Sequence, residues 1–191
     1  FDKYPLQMDH DVQLLEQHGV QFLYAPNVDA MYGANFSTSV HVGGITDVLE
    51  GSSRPGHFAG VSTVVAKLFS AGRPDVAIFG QKDFQQFAVI KRMVADLDMP
   101  IKLIMAPTVR EFDGLAMSSR NVRLSESGRN VALVIHRALA AAKLAPTVEI
   151  AQEILNTTLS TESGFDKDYA TIIDEKDFSL ADEGTENRRA I

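Results

Sequence analysis

Lys82 and Asp83 sit inside the heptad Gly80-Gln81-Lys82-Asp83-Phe84-Gln85-Gln86, between the apolar run Val76-Ala77-Ile78-Phe79 and the amphipathic run from Phe84 to Leu97. In an open α/β sheet that junction lies at the carboxyl ends of the strands, where ligands bind. A buried strand is expected to bring the chain to this edge, and Gly80 to let the backbone turn. The free N–H groups and positive potential of the next helix then suit a phosphate. The plainer alternative makes Asp83 an ordinary N-cap on a solvated helix start.

A second segment, Asp113-Gly114-Leu115-Ala116-Met117-Ser118-Ser119-Arg120-Asn121, places two hydroxyls and a guanidinium in a loop beside a glycine. Arginine offers a fork of donors to phosphate oxygens, and a glycine hinge would let such a loop close over its ligand. The alternative is a capping or linker loop. The third segment, Leu49 to Val61, is a Gly/Ser/Pro loop that carries Arg54 and His57 into a helix.

Charge makes these residues matter together. The 191-residue chain has 18 basic and 25 acidic side chains, a net charge of −7. It therefore lacks the basic balance of a nucleic-acid binder, and an anionic ligand has to be held by a local cluster such as Lys82, Arg120, Arg54 and His57. Cysteine is absent, which removes disulfides, thiolate catalysis and thiolate metal sites and is compatible with a reducing cytoplasm. No apolar run approaches the roughly 18 residues of a membrane span, and Phe1-Asp2-Lys3-Tyr4-Pro5 has no signal-peptide character. His10, His18, His41 and His136 lack ligand-like spacing and read as structural or surface residues. Asp9 and Asp11 read as favourable charges in a helix's first turn, with a magnesium site as the alternative.

The elements that must position these groups follow from periodicity. A helix is predicted from Asp9 to His18 with Gly19 as its C-cap, then a strand over Val20 to Ala25, a turn-rich stretch, and a short strand from Ser37 to Val42. A helix carrying Val61, Val64, Val65, Leu68 and Phe69 stops at Gly72-Arg73-Pro74. Strand Asp75 to Phe79, helix Phe84 to Leu97 and strand Ile101 to Met105 form a βαβ unit with parallel strands and a right-handed crossover. Beyond Pro107 come a loop, long helices at Ser125 to Leu144 and Thr147 to Leu159, and a strand at Tyr169 to Ile173 with no obvious sheet partner. The chain ends in a strand-like start at Glu186 to Ile191. The change of pattern near Ala106 divides it into domains of residues 1–106 and 107–191.

In this order and spacing, the strings Leu49-Glu50-Gly51-x-x-Arg54-Pro55-Gly56-His57-Phe58-x-Gly60-Val61, Gly80-x-Lys82-Asp83-Phe84-Gln85-Gln86 and Asp113 to Asn121 resemble the pantothenate synthetase family, from Tyr4-Pro5 onward. The resemblance implies an α/β fold: a Rossmann-like nucleotidyl-transferase domain with a parallel sheet incomplete at its N-terminus, then a smaller α+β domain with a mobile loop at its start. It implies ligation of pantoate to β-alanine at the expense of ATP with Mg2+, through a pantoyl adenylate. By the same resemblance Lys82, Arg120, Ser118 and Ser119 are catalytic and bind phosphate. Gly80, Gln81 and Asp83 lie at the nucleotide, Val109 and Met117 at the adenine end, and Gln86 at pantoate, with Arg54 and His57 in support. A cytoplasmic homodimer is implied, with no nucleic-acid or membrane partner.

Departures accompany the resemblance. The family's His-x-Gly-His motif, which binds ATP phosphates, does not occur in these 191 residues, and Gln81 stands where the family usually has glutamate. A glutamine expected before Phe1 and a closing strand expected after Ile191 lie outside the sequence. Little or no catalysis is therefore expected of the chain alone, with an exposed sheet edge and an uncovered core. The alternatives are another adenylate-forming nucleotidyl transferase, or a non-catalytic fragment serving as a folding or dimerisation module.

Overall fold

A computed structural model describes residues 8–191, so the readings made on Phe1 to Pro5 lie outside the described residues. In chain order the helices and strands are α1 (Met8–Gln17), α2 (Val28–Met31), α3 (Glu50–Ser53), α4 (His57–Gly72), β1 (Val76–Gly80), α5 (Phe84–Asp96), β2 (Lys102–Ala106), α6 (Glu126–Ala142), α7 (Val148–Leu159), β3 (Ile172–Asp174) and β4 (Arg188–Ala190). Short 3-10 turns lie at Gln81–Asp83 and Ser119–Arg123.

The strand-helix-strand order and the parallel pairing expected of the βαβ unit hold. β1 and β2 run parallel, Val76 opposite Lys102 and Gly80 opposite Ala106, with α5 between them in the chain. Their inward residues Ala77, Phe79 and Leu103 pack against a core of Phe58, Phe69, Val89, Ile90 and Met93 from α4 and α5. The opposite face is open, with Ile78 66% exposed, so β1 is half-buried where an apolar run of this kind predicts burial on both faces.

Two predicted strands do not form. Val20 to Ala25 has strand composition but no ladder partner among the described residues, and its side chains face solvent, Phe22 at 90% exposure. Composition supplies side chains, whereas a strand also needs a second backbone. Ser37 to Val42 likewise joins no sheet. Its Val40 N–H donates instead to Thr63 Oγ1 on α4 at 2.9 Å, and Val42 is buried in the α4–α5 core. The segment from Leu49 to Gly60 is not all loop either, because α3 forms within it and α4 begins at His57, earlier than the first apolar repeat. Gly51 permits this: a Cβ there would lie 1.9 Å from the Thr46 carbonyl oxygen.

The second half is built from capped helices. Ser125 Oγ accepts from Gly128 N at 3.0 Å and starts α6, and Thr147 Oγ1 accepts from Ile150 N at 3.2 Å and starts α7. α6 and α7 enclose a second core of Val134, Ala138, Leu155 and Leu159, against which Ile172 of β3 packs. The strand expected at Tyr169 to Ile173 forms later and shorter, as β3 from Ile172, and does have a partner, the antiparallel β4, with Ile172 opposite Ala190. A third cluster, Phe84, Ile173 and Phe178 with Leu49 and Met105, joins the two halves.

Candidate active site

The end of β1 passes into the 3-10 turn Gln81–Asp83, and Phe84 starts α5 directly behind it. Gly80 has φ −74 and ψ 137, ordinary extended values, so the expected glycine-dependent turn is not what its lack of a side chain serves. A Cβ at Gly80 would meet nothing within 4 Å, which leaves open space beside the turn. Asp83 occupies the N-cap position of α5, as the plainer reading has it, but its side chain makes no capping hydrogen bond. Its carboxylate pairs instead with Lys82 Nζ at 3.1 Å, both side chains being substantially exposed.

This turn lines a cleft of about 1300 Å³ between the two halves of the molecule. Arg54, Gln81, Lys82, Asp83 and Arg120 all line it, so charged groups from three separate segments do converge. Gly80, Gln86, His57, Val109, Met117, Ser118 and Ser119 are not among the residues that line it. Gln86 is half-buried on the first turn of α5, while Val109 and Met117 are exposed. Ser118 Oγ accepts from Arg120 N at 3.2 Å and so starts the turn that carries Arg120.

The loop before that turn is a tight hairpin. Met117 N donates to Val109 O at 2.9 Å, Arg110 Nη1 to Gly114 O at 3.0 Å, and Asp113 holds Arg129 of α6 at 2.7 Å. Gly114 adopts φ +93 where a Cβ would come within 2.3 Å of the His136 ring, so in this state it is a seat on α6. At Asp113 burial is the largest single effect and favours the protonated carboxyl. Hydrogen bonds from Leu115 N–H and Arg129, together with the Arg129 charge, outweigh it and hold the group below the usual carboxylate range.

Arg54, Glu50 and His57 form a small network at the cleft's rim. Arg54 Nη1 donates to Glu50 Oε1 and lies 3.1 Å from His57 Nε2. Arginine only donates, so Nε2 is the acceptor and the ring is neutral in this arrangement. Burial first, then Arg54 and Arg120, hold His57 below its usual value against the opposing pull of Glu50 and Asp83.

Sequence reasoning missed three residues here. Gln85, 3% exposed, accepts from Glu50 N at 3.2 Å and donates to Ile45 O and Val48 O at 2.8 and 2.9 Å, tying α5 to the rim. Its signal was present: Gln85, Val89 and Met93 share one stripe of α5, which makes a polar residue there a buried one. Tyr169 and Arg189 reach the cleft from the second half, and only the tertiary fold brings them there. Burial, with the carboxylates of Glu50, Asp168 and Asp83, pushes the Tyr169 phenol above its usual range and keeps its O–H a donor. Among the described residues no three His, Asp or Glu side chains gather as a metal site, and Asp9 and Asp11 are exposed on α1.

The family model described as pantoate-beta-alanine ligase matches residues 1–191. The chain belongs to the pantoate-beta-alanine ligase family. It is 44% identical, over 98% of its length, to the pantothenate synthetase of Chlorobium phaeovibrioides, and 54% identical over 73% of its length to that of a Thermoanaerobacter species. It spans 66% of the first of these relatives and 49% of the second. Among solved structures, pantoate-beta-alanine ligase (pantothenate synthetase) from Thermus thermophilus superposes with a TM-score of 0.96 at 42% identity, covering 99% of this chain and 70% of that one. Pantoate-beta-alanine ligase from Francisella tularensis, complexed with beta-gamma ATP and beta-alanine, gives 0.69 at 34% identity over 81% of this chain and 59% of that one. The mixed α/β fold with its parallel strand pair is thus the ligase family's own, and the cleft lies at the carboxyl end of that pair.

Proposed function

We propose that this cleft serves an ATP-dependent ligation of (R)-pantoate to β-alanine through a pantoyl-adenylate intermediate, with release of AMP and pyrophosphate. The observation that carries this reading is the convergence of Arg54, Lys82 and Arg120, from three separate segments, on one cleft of a chain with net charge −7. Family membership supports it further.

In this reading a pantoate carboxylate oxygen attacks the α-phosphorus, the bond to the pyrophosphate oxygen breaks, and negative charge grows on the leaving group. Lys82 and Arg120 stabilise that charge, and they act most strongly where it is largest, in the transition state. Ser118 and Ser119 add hydroxyl donors to the phosphates. Gly80, Gln81 and Asp83 border the nucleotide, with Val109 and Met117 at the adenine end and Gln86 on pantoate. Mg2+ enters with the triphosphate as substrate. The amine of β-alanine then attacks the acyl carbon, AMP leaves with the phosphate oxygen, and the amine loses a proton. Holding both substrates at one sheet edge supplies much of the rate. Residues 1–106 and 107–191 act as two domains in this reading, and a cytoplasmic homodimer belongs to it as well.

The test is pyrophosphate release by this chain, and by a hybrid in which the parts of a relative's sequence that the chain does not match are added to it. The hybrid is expected to release pyrophosphate only with both pantoate and ATP present, and the chain alone little or none. No release from the hybrid, or release indifferent to pantoate, overturns the reading. Lys82→Ala in the hybrid should lower turnover by about a hundredfold or more, as loss of a transition-state charge does.

A further inference from the structure

Phe84 follows Lys82 and Asp83 directly, is 8% exposed, and starts α5. Two side chains from the far half of the molecule rest on its ring. The Arg189 guanidinium carbon lies 4.0 Å from the ring centroid, and the Phe178 ring stacks at 5.7 Å with 23° between the planes. Arg189 is fixed on its own side by Glu175 at 2.7 Å, and its Nε is buried without a hydrogen-bond partner. The aromatic face and one carboxylate therefore set the guanidinium plane.

The backbone around this contact is unusual. Phe178 has φ +64, a left-handed conformation rare for a bulky residue, and its N–H donates to Asp174 O at 2.9 Å. Leu49, at φ +51, packs against the same cluster from the rim side. Only four non-glycine residues among those described have positive φ, and two of them meet here. Strain of this kind persists where the surroundings over-determine the position, and it gathers at functional sites. A cluster that merely filled space between two halves would not need it.

We infer that the β3–β4 segment clamps Phe84 and thereby sets where Lys82 and Asp83 stand in the cleft, with Arg189 and Phe178 as positioning residues for the activation chemistry proposed above, the reading on which this rests. The 3-10 turn at Gln81–Asp83 has no side-chain cap of its own, so it hangs between Gly80, held in the ladder to β2, and Phe84, its fixed point on the α5 side. A shift of the second half moves Phe84, and Phe84 carries the lysine with it.

Amide hydrogen exchange on Arg189→Met and, separately, Phe178→Leu tests the clamp without any ligand. The expected result is exchange about tenfold faster at Gln81 to Gln85, with Val89 to Val94 of the same helix within about twofold of the parent, because local opening and global unfolding separate in this measurement. An unchanged turn, or equal acceleration at both places, overturns the proposal. If Arg189→Met fails to fold, Phe178→Leu and Glu175→Gln decide by the same criterion. Calorimetric titration with ATP supplies the functional arm. The variants should bind about tenfold more weakly, and Lys82→Ala should add little on top of Arg189→Met, as expected for coupled residues. A loosened turn with unchanged ATP affinity, or full additivity, overturns the positioning role. Absence of ATP binding by the parent chain and by the hybrid counts against the ligase reading alone, and the exchange result then still decides the clamp.

Discussion

His57 stands 3.1 Å from an arginine that can only donate to it, and burial first, then that arginine, disfavour the charged ring. Its proton affinity is lower in the folded chain than the 6.5 of a free side chain. As the pH falls, the unfolded chain takes up this proton first, so stability drops through the region below about 6.5 and is unaffected by this group above it. Denaturant unfolding between pH 5 and 8 should show that slope, and His57→Gln, which keeps an acceptor for Arg54, should flatten it; an unchanged slope would remove His57 as its source. At this scale the convergence of Arg54, Lys82 and Arg120 on one cleft was legible, because an acidic chain has few places to hold an anion, whereas His57 does not line that cleft. The details at Gly80 and Asp83 were not legible: residue type alone does not distinguish a glycine that turns from one that leaves space, or an N-cap aspartate whose carboxylate caps the helix from one whose carboxylate pairs with its neighbour.

α5 shows what an element does for the site that none of its exposed residues does. Gln85 points into the stripe that faces the core and holds the Ile45–Glu50 segment by three hydrogen bonds, so the rim bearing Arg54 and His57 is anchored to the helix behind Lys82. Gln85→Leu leaves two carbonyls and one N–H without that partner. It should cost about 2–4 kcal/mol by urea unfolding, given 1–3 for each buried group left unpaired and partial access of water here. A loss below about 0.5 kcal/mol, the level of an ordinary surface change, would mean that the rim is held by something else. α6 and α7 were read nearly to their ends because caps such as Ser125 and Thr147 are local signals, whereas the one-turn helices α2 and α3 lie in stretches read as turn or loop. The strands were read less well. Val20 to Ala25 and Ser37 to Val42 have the composition, but a ladder depends on a distant segment, as the pairing of β3 with β4 across the 188–190 stretch also shows.

The described residues form two cores and one joint, and the joint reaches the cleft at Phe84. The joint was not legible, since it is made by side chains about a hundred positions apart in sequence. The outer face of the parallel pair is a separate consequence of the same architecture. Ile78 and Ile104 are register partners on that face and are 66% and 39% exposed, with Val76 beside them at 44%. Apolar side chains left in water contribute little to the chain's own stability and favour association between copies, most of all beside unpaired strand edges. Thr keeps the β-branch that suits a strand while it removes apolar surface. Ile78→Thr combined with Ile104→Thr should therefore change unfolding stability by less than about 1 kcal/mol, since neither residue lies in a packed core. Light scattering at high concentration should fall in the same protein. A loss comparable to a core truncation, about 2–5 kcal/mol, would show that this face is covered within the chain itself.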